Sequence, residues 1–241
     1  MGSWITFPCE ASVEILAKSG FDWLVLDMEH APLGVEVASR LIRIIDLMGI
    51  PAICRLPSMD STMVKNVLDA GASGIIVPMI ETAADAQRIV DSVYYPPKGK
   101  RGVGLGRAHD YGKSFESYRK HAECDLLVIA MIETASGVKN VESIAATPGI
   151  DGLLIGPYDL SGSLGVIGAL DHASLTAAKK KVLKASKNAK IGCGLHVVHP
   201  DAKTIRAAIE QGYNFLALGV DMILLDEASR AILSLAKDLK K

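Results

Sequence analysis

The sequence is short of the features that mark several classes of protein. It carries no excess of either charge: 26 Lys and Arg stand against 27 Asp and Glu, for a net charge of −1. It has neither a basic block nor an acidic tail. That balance argues against nucleic acid or an anionic membrane as the main partner. The run Lys179-Lys180-Lys181 reads as a solvated helix face. No apolar run reaches the roughly 18–20 residues of a membrane-spanning helix. The opening MGSWITFPCE has neither the charged start nor the long apolar core of a secretory signal. The four cysteines, Cys9, Cys54, Cys124 and Cys193, are far apart, with no metal-site or redox spacing. They read as reduced, buried thiols of a cytoplasmic protein. There is no Pro/Ser-rich linker and no shift in composition, so one domain over 1–241 is expected.

What the chain does have is apolar material in a regular rhythm. Hydrophobic residues make up 49% of the 241, enough for a large core. Eight runs read as strands: 2–7, 23–27, 51–56, 74–79, 126–133, 152–156, 191–197 and 215–220. Most are continuously apolar rather than alternating, as in a parallel sheet covered on its outer face. Segments with helical spacing fall between them. DSTMVKNVLDAG opens on Asp60 as N-cap and closes at Gly71; TAADAQRIVDSV opens on Thr82. The phrases AKSGFDWLVLD, LDAGASGIIVP and IEQGYNFLALG repeat one joint, helix then glycine then strand. Eight strands alternating with eight helices match a TIM (β/α)8 barrel in count and length. A doubly wound sheet is the alternative, but the Rossmann glycine fingerprint is missing after the first strand. The irregular, Gly- and Pro-rich stretch 94–114 is of the kind that is functional or disordered.

In a barrel the C-terminal strand ends build the active site. Asp27, Glu29 and His30 follow strand two, Arg55 ends strand three and Glu133 ends strand five. Asp159 lies just past strand six, and His196 sits on strand seven. Glu133 follows seven apolar residues, and a carboxylate there is costly unless paired or bound to a cation. With Asp159 it makes an oxygen-ligand pair suited to Mg²⁺ or Mn²⁺; Asp159 as a turn cap is the plainer alternative. Arg55 could pair with Glu133 or clamp a carboxylate substrate. Backbone N–H groups of 156–159 could hold a substrate carboxylate. His30 is the candidate general base, with Asp27, Glu29 and Asp69 as candidate orienters. No lysine stands within or at the end of a strand, which disfavours imine chemistry. His109, His121, His172 and His199 have no convergent context.

GFDWLVLDMEHAP, CRLP, VLDAGASGIIVPMIET, YYPPKGKRGVG, MIET and GPYDLSGSLG together resemble the metal-dependent (class II) HpcH/HpaI aldolases, in order and over essentially the whole chain. The resemblance implies a TIM barrel that cleaves 4-hydroxy-2-oxo acids, of the 4-hydroxy-2-oxoheptanedioate or 2-keto-3-deoxy sugar acid type, to pyruvate and an aldehyde. It implies a divalent metal (Mg²⁺, Mn²⁺ or Co²⁺) on Glu133 and Asp159, chelated by pyruvate. Arg55 would stabilise the enolate oxygen, and His30, supported by Asp69, would move the proton. Substrate binding would fall to Arg55, Gly156, Pro157, Tyr158 and Asp159, with Asp27, Glu29 and Met131 in support. The chain departs from many members in carrying Met131 where they have Gln. A homohexamer, as a trimer of dimers, is implied, with the last helix (about 222–239) packed on a neighbouring subunit. Oxaloacetate or another β-keto acid decarboxylase, or a non-catalytic scaffold barrel, are the rival readings.

Overall fold

The computed structural model describes residues 1–239; the last two positions of the expected domain lie outside the described residues. The eight strands are β1 (Gly2–Ile5), β2 (Trp23–Asp27), β3 (Ala52–Arg55), β4 (Gly74–Val77), β5 (Leu127–Ile132), β6 (Gly152–Ile155), β7 (Gly192–Val197) and β8 (Phe215–Val220). All neighbouring pairs are parallel, and β8 closes on β1. The expected TIM barrel is therefore observed, as one domain. Strands β2 and β8 fill their apolar runs; the other six are one or two residues shorter, and in five of these the last residues of the run leave the ladder at the rim.

Strand alternation sorts the apolar residues into two cores. Leu24, Leu26, Cys54, Ile75, Val77, Val128, Ala130, Ile132, Leu153 and Ile155 face outward and pack under the helices. Trp4, Val25, Ile53, Ile76, Ile129, Met131, Leu154 and Ala217 face inward and fill the barrel. Below that filling, the Trp23 and Phe215 rings meet edge-on at 6.1 Å and plug the base. Gly2 and Gly194 make room for them, since a Cβ there would lie 2.1 Å from Trp23 and 2.2 Å from Phe215.

The helical layer holds α1 (Glu10–Lys18), α2 (Val35–Leu47), α3 (Ser61–Ala70), α4 (Ala83–Val93), α5 (Phe115–Asp125), α6 (Ala135–Lys139), α7 (Val141–Ala145), α8 (Pro157–Ser163), α9 (Ala173–Ala189), α10 (Ala202–Gln211) and α11 (Asp221–Asp238). The caps read from sequence are present: the Asp60 side chain accepts the Thr62 N–H, Gly71 is left-handed at φ 107°, and Thr82 and Asp85 cap each other. Three readings need correcting. The segment 136–146 is two short helices, α6 and α7, rather than one. Helix α5 was not expected, because its only buried residue is Ala122. Cys9 and Cys124 are exposed, while Cys54 and Cys193 are buried as expected; all four are free.

The irregular stretch 94–114 also differs from expectation. It packs against α3 and α5 through buried side chains. The Arg101 side chain is fully buried, paired with Asp69 at 2.6 Å and set against the Tyr95 and Tyr118 rings. His109 is buried too: its Nδ1 accepts the Gly112 N–H at 3.0 Å, and its Nε2 lies 2.7 Å from the Gly104 carbonyl. Among the described residues, no helix is long and apolar enough to cross a membrane.

Candidate active site

The two-residue period that fills the barrel continues upward by one more layer. Two positions past Val25 stands Asp27, past Ile53 Arg55, past Met131 Glu133, and past Leu154 Gly156. Each extends an inward-facing apolar column and so points at the barrel axis. His196 joins the layer from β7, paired in register with the inward Ala217. The site is thus the top storey of the core with polar residues in place of aliphatic ones. A cavity of about 280 Å³ lies over it, lined among others by Trp4, His30, Arg55, Met131, Gly156, Asp159 and His196. A wider cleft of about 890 Å³ opens between α3 and α4, yet it includes none of these rim residues.

Arg55 is the most constrained group. Its Nε and Nη2 donate to the two Asp27 carboxylate oxygens at 3.0 and 2.6 Å, a two-pronged pair that fixes the guanidinium plane. Its carbon centre lies 4.5 Å from the centre of the Trp4 ring. Nη1 is 3.4 Å from Glu29 Oε2 and makes no hydrogen bond, so one edge stays available. Arg55 therefore pairs with Asp27 and Glu29 rather than with Glu133. Asp27 Oδ1 also accepts the backbone N–H groups of Glu29 and His30, at 3.1 and 3.2 Å. It ties the end of β2 to β3. Glu29 Oε2 is buried without a hydrogen bond, 3.8 Å from His30 Nε2. Burial pushes the Glu29 carboxyl above its ordinary value. The His30 imidazole is exposed at the mouth.

Glu133 has no cationic partner among the described residues. Its Oε1 accepts the Met79 N–H at 2.7 Å. Met79 holds a left-handed backbone at φ 56°, a conformation costing a side-chain-bearing residue about 1–2 kcal/mol; the carboxylate bond helps to hold it there. Burial, with the Glu29 and Asp159 charges adding to it, pushes Glu133 up to about 7. On the far side the carboxylate rests against Gly156, where a Cβ would lie 2.7 Å from Glu133 Oε2 and 2.7 Å from the Met131 methyl. Asp159 lies in the first turn of α8, whose N-cap is Gly156. A buried, unpaired carboxylate beside a second one suits a hard divalent cation, with remaining oxygens from water or a bound oxo acid. Among the described residues no group of three or more Asp, Glu, His or Cys is arranged for a metal, so the side-chain set stops at this pair.

Within this chain Asp69 is not brought to His30. It lies at the end of α3, just before β4, hence at the base of the barrel rather than the rim, and Arg101 takes its carboxylate. The other histidines are structural or peripheral: His172 caps α9, His121 bonds Ser117, and His199 pairs with Glu227. Two contributors were missed from sequence, the Trp4 ring under Arg55 and the Met79 N–H on Glu133. Nothing in an apolar β1 or a loop methionine announced either.

The Gly156 contact yields a prediction. Its φ of −93° is open to any residue, so Gly156→Ala should press only on Glu133 and on the end of the flexible Met131 side chain. Mn²⁺ affinity should fall about 10–100-fold, the range seen when groups orienting a metal ligand are disturbed. The melting temperature should stay within a few degrees. Titration with Mn²⁺ beside thermal denaturation checks both.

Known proteins agree with this architecture. The profile of the HpcH/HpaI aldolase/citrate lyase family matches residues 1–228. A hydroxypyruvate/pyruvate aldolase of Chromohalobacter salexigens is 36% identical over 97% of this chain and 91% of its own length. A 5-keto-4-deoxy-D-glucarate aldolase of Klebsiella pneumoniae is 33% identical over 96% of this chain and 90% of its own. The crystal structure of an HpcH/HpaI aldolase/citrate lyase family protein from Burkholderia cenocepacia superposes with a TM-score of 0.92 at 36% identity, covering 98% of this chain and 93% of that one. The chain belongs to the HpcH/HpaI aldolase/citrate lyase family.

Proposed function

We propose that this chain is a divalent-metal-dependent class II aldolase, a carbon–carbon lyase that reversibly cleaves 4-hydroxy-2-oxo acids to pyruvate and an aldehyde. The observation that carries the reading is the pairing of unpartnered Glu133 with Asp159 beside a rigidly held Arg55, under a cavity with no lysine in its lining. Retro-aldol cleavage needs a base for the C4 hydroxyl and an electron sink at the C2 keto group. Without a lysine the sink cannot be an imine. Held by Glu133 and Asp159, Mg²⁺, Mn²⁺ or Co²⁺ would supply Lewis acidity at the keto oxygen.

The side chains divide the remaining work. The free Nη1 edge of Arg55 stabilises the negative charge that grows on the C2 oxygen as C3–C4 breaks. His30, at the mouth, takes the C4 hydroxyl proton through water in cleavage and returns it in condensation. Asp27 and the Trp4 face keep Arg55 from turning. The backbone of 156–159 and Tyr158 receive the carboxylate end. A pyruvate-release assay on 4-hydroxy-2-oxo acids and oxaloacetate, with and without chelator, tests the reading. Turnover should vanish on chelation and return with Mg²⁺, Mn²⁺ or Co²⁺. Activity that survives full chelation would sink the metal proposal, and silence on every keto acid would sink the enzyme.

A homo-oligomer, a hexamer built as a trimer of dimers, completes the proposal, on the support of α11. From Leu225 through Lys237 every residue of this helix is exposed. Leu225, Ile232 and Leu239, 61%, 67% and 88% exposed, recur every seven residues along one line. An apolar stripe of this kind on a helix that leaves its own barrel calls for a neighbour's surface. The double variant Leu225→Lys, Ile232→Lys should shift sedimentation to smaller species while far-UV dichroism holds. An unchanged mass would show that α11 does not assemble the particle.

A further inference from the structure

His196 lines the cavity and has no part in the chemistry above. It is held with care nonetheless. Its ring stands 5.4 Å from the Trp4 ring, tilted at 45°, and lines the same cavity as Arg55 and Asp159. Its Nε2 lies 3.1 Å from the Gly219 carbonyl at the end of β8. A carbonyl oxygen can only accept, so that contact places the proton on Nε2 and leaves Nδ1 bare. Nδ1 has no partner among the described residues and remains accessible. Burial, the largest influence, pushes the imidazole down to about 4, so the ring is neutral at pH 7.

The rest of the lining makes this bare nitrogen distinctive. Arg55 and the Trp4 indole N–H can only donate, and that indole N–H is buried without a partner. The Glu133 and Asp159 oxygens are committed to the cation in the reading above. Leu154 and Val198 offer only aliphatic surface to the cavity. Apart from His30, which stands exposed at the mouth and serves the proton transfer, and half-exposed Tyr158, His196 Nδ1 is the neutral side-chain acceptor left. A neutral acceptor has no preference for carboxylates or aldehyde oxygens, which carry no proton at neutral pH. It selects for an O–H.

We propose that His196 is a specificity-determining residue that accepts a hydrogen bond at Nδ1 from a hydroxyl group of the substrate, so that this aldolase favours hydroxylated over deoxy partners. The inference rests on the aldolase reading. The hydroxyl can come from the keto acid, at C3, or from the aldehyde, at its α-carbon.

Two matched pairs separate these sources: hydroxypyruvate against pyruvate with one shared aldehyde, and glycolaldehyde against acetaldehyde with pyruvate. In each pair the ratio of kcat/KM for the hydroxylated to the deoxy partner is the readout. His196→Leu should lower that ratio about tenfold in one pair, the yield of a single neutral hydrogen bond. His196→Gln, which restores an acceptor, should recover most of it. The pair that responds identifies the hydroxyl. A second arm is independent of turnover: ¹⁵N spectra of the histidine ring should show Nε2 protonated and Nδ1 bare at pH 7. The proposal is overturned if neither ratio moves in His196→Leu, the two members of each pair losing equally, or if Nδ1 carries the proton. Should the wild-type enzyme turn over no keto acid at all, the aldolase reading itself fails and this inference falls with it.

Discussion

Glu133→Gln should lower kcat/KM for cleavage of any 4-hydroxy-2-oxo acid by about 10³-fold or more, the scale of losing electrostatic stabilisation aimed at a developing oxyanion. The substitution is chosen to isolate charge. Gln has the same length, and its amide oxygen can still accept the Met79 N–H that Glu133 Oε1 receives at 2.7 Å. The left-handed turn at Met79 should therefore survive. What disappears is the anionic donor, so Mn²⁺ affinity should fall in parallel with turnover. Stability should move the other way, or not at all. Burial holds the Glu133 carboxyl at about 7 in the metal-free protein, which means that ionising it there is unfavourable. A neutral amide escapes that cost, and function-bearing charges commonly oppose stability in this manner. The decisive pattern is lost Mn²⁺ binding and turnover with an unchanged or higher melting temperature. Near-wild-type turnover would remove Glu133 from the ligand set. Asp159→Asn should share the loss of Mn²⁺ binding, because a two-carboxylate set has no spare member.

How far the site could be read from sequence depends on which physical rule placed each residue. Glu133, Arg55 and Asp27 were legible because an ionisable group ending an apolar run is conspicuous, and a barrel sends every strand end to one rim. Their inward direction was not legible. In continuously apolar strands such as Ile75-Ile76-Val77, inward and outward residues look alike, and only the register separates the two cores. Arg55 shows the consequence: sequence left Glu133 open as its partner, whereas register sets it directly beside Asp27 on the neighbouring strand. Asp69 stands apart for a different reason. It was attached to His30 by resemblance, while its place at the end of a helix that leads into β4 puts it at the opposite end of the barrel. The stretch 94–114 looked loose because glycine and proline dominate its composition. Its order comes from two buried polar side chains, Arg101 and His109, whose partners Asp69 and Tyr118 lie on other elements. Long-range satisfaction of buried polar groups leaves no periodic trace in a sequence.

Arg55→Lys should cost about 10²–10³-fold in kcat, with a smaller effect on KM, although charge is conserved. The reason is geometric. The guanidinium is planar and spends one edge, Nε with Nη2, on Asp27, which leaves Nη1 directed independently of that pair. An ammonium is a single point. If it stays with Asp27 it withdraws from the substrate oxygen, and if it reaches the substrate it abandons a carboxylate whose side chain is only 5% exposed. Its smaller cation also loses contact area over the Trp4 face. Arg55→Met makes the complementary case. It leaves Asp27 buried without its cation, and removing one partner of such a pair typically costs about 3–5 kcal/mol. The Met variant should therefore melt well below both the wild type and the Lys variant, whereas Lys should lose rate more than stability. Adding Asp27→Asn to Arg55→Met should return much of the lost stability, since Asp27 then no longer carries a buried charge stripped of its partner, and should return none of the turnover. That split between stability and rate distinguishes an arginine that stabilises the oxyanion from one that merely braces β2 against β3. A double variant that regained activity along with stability would reduce Arg55 to a brace.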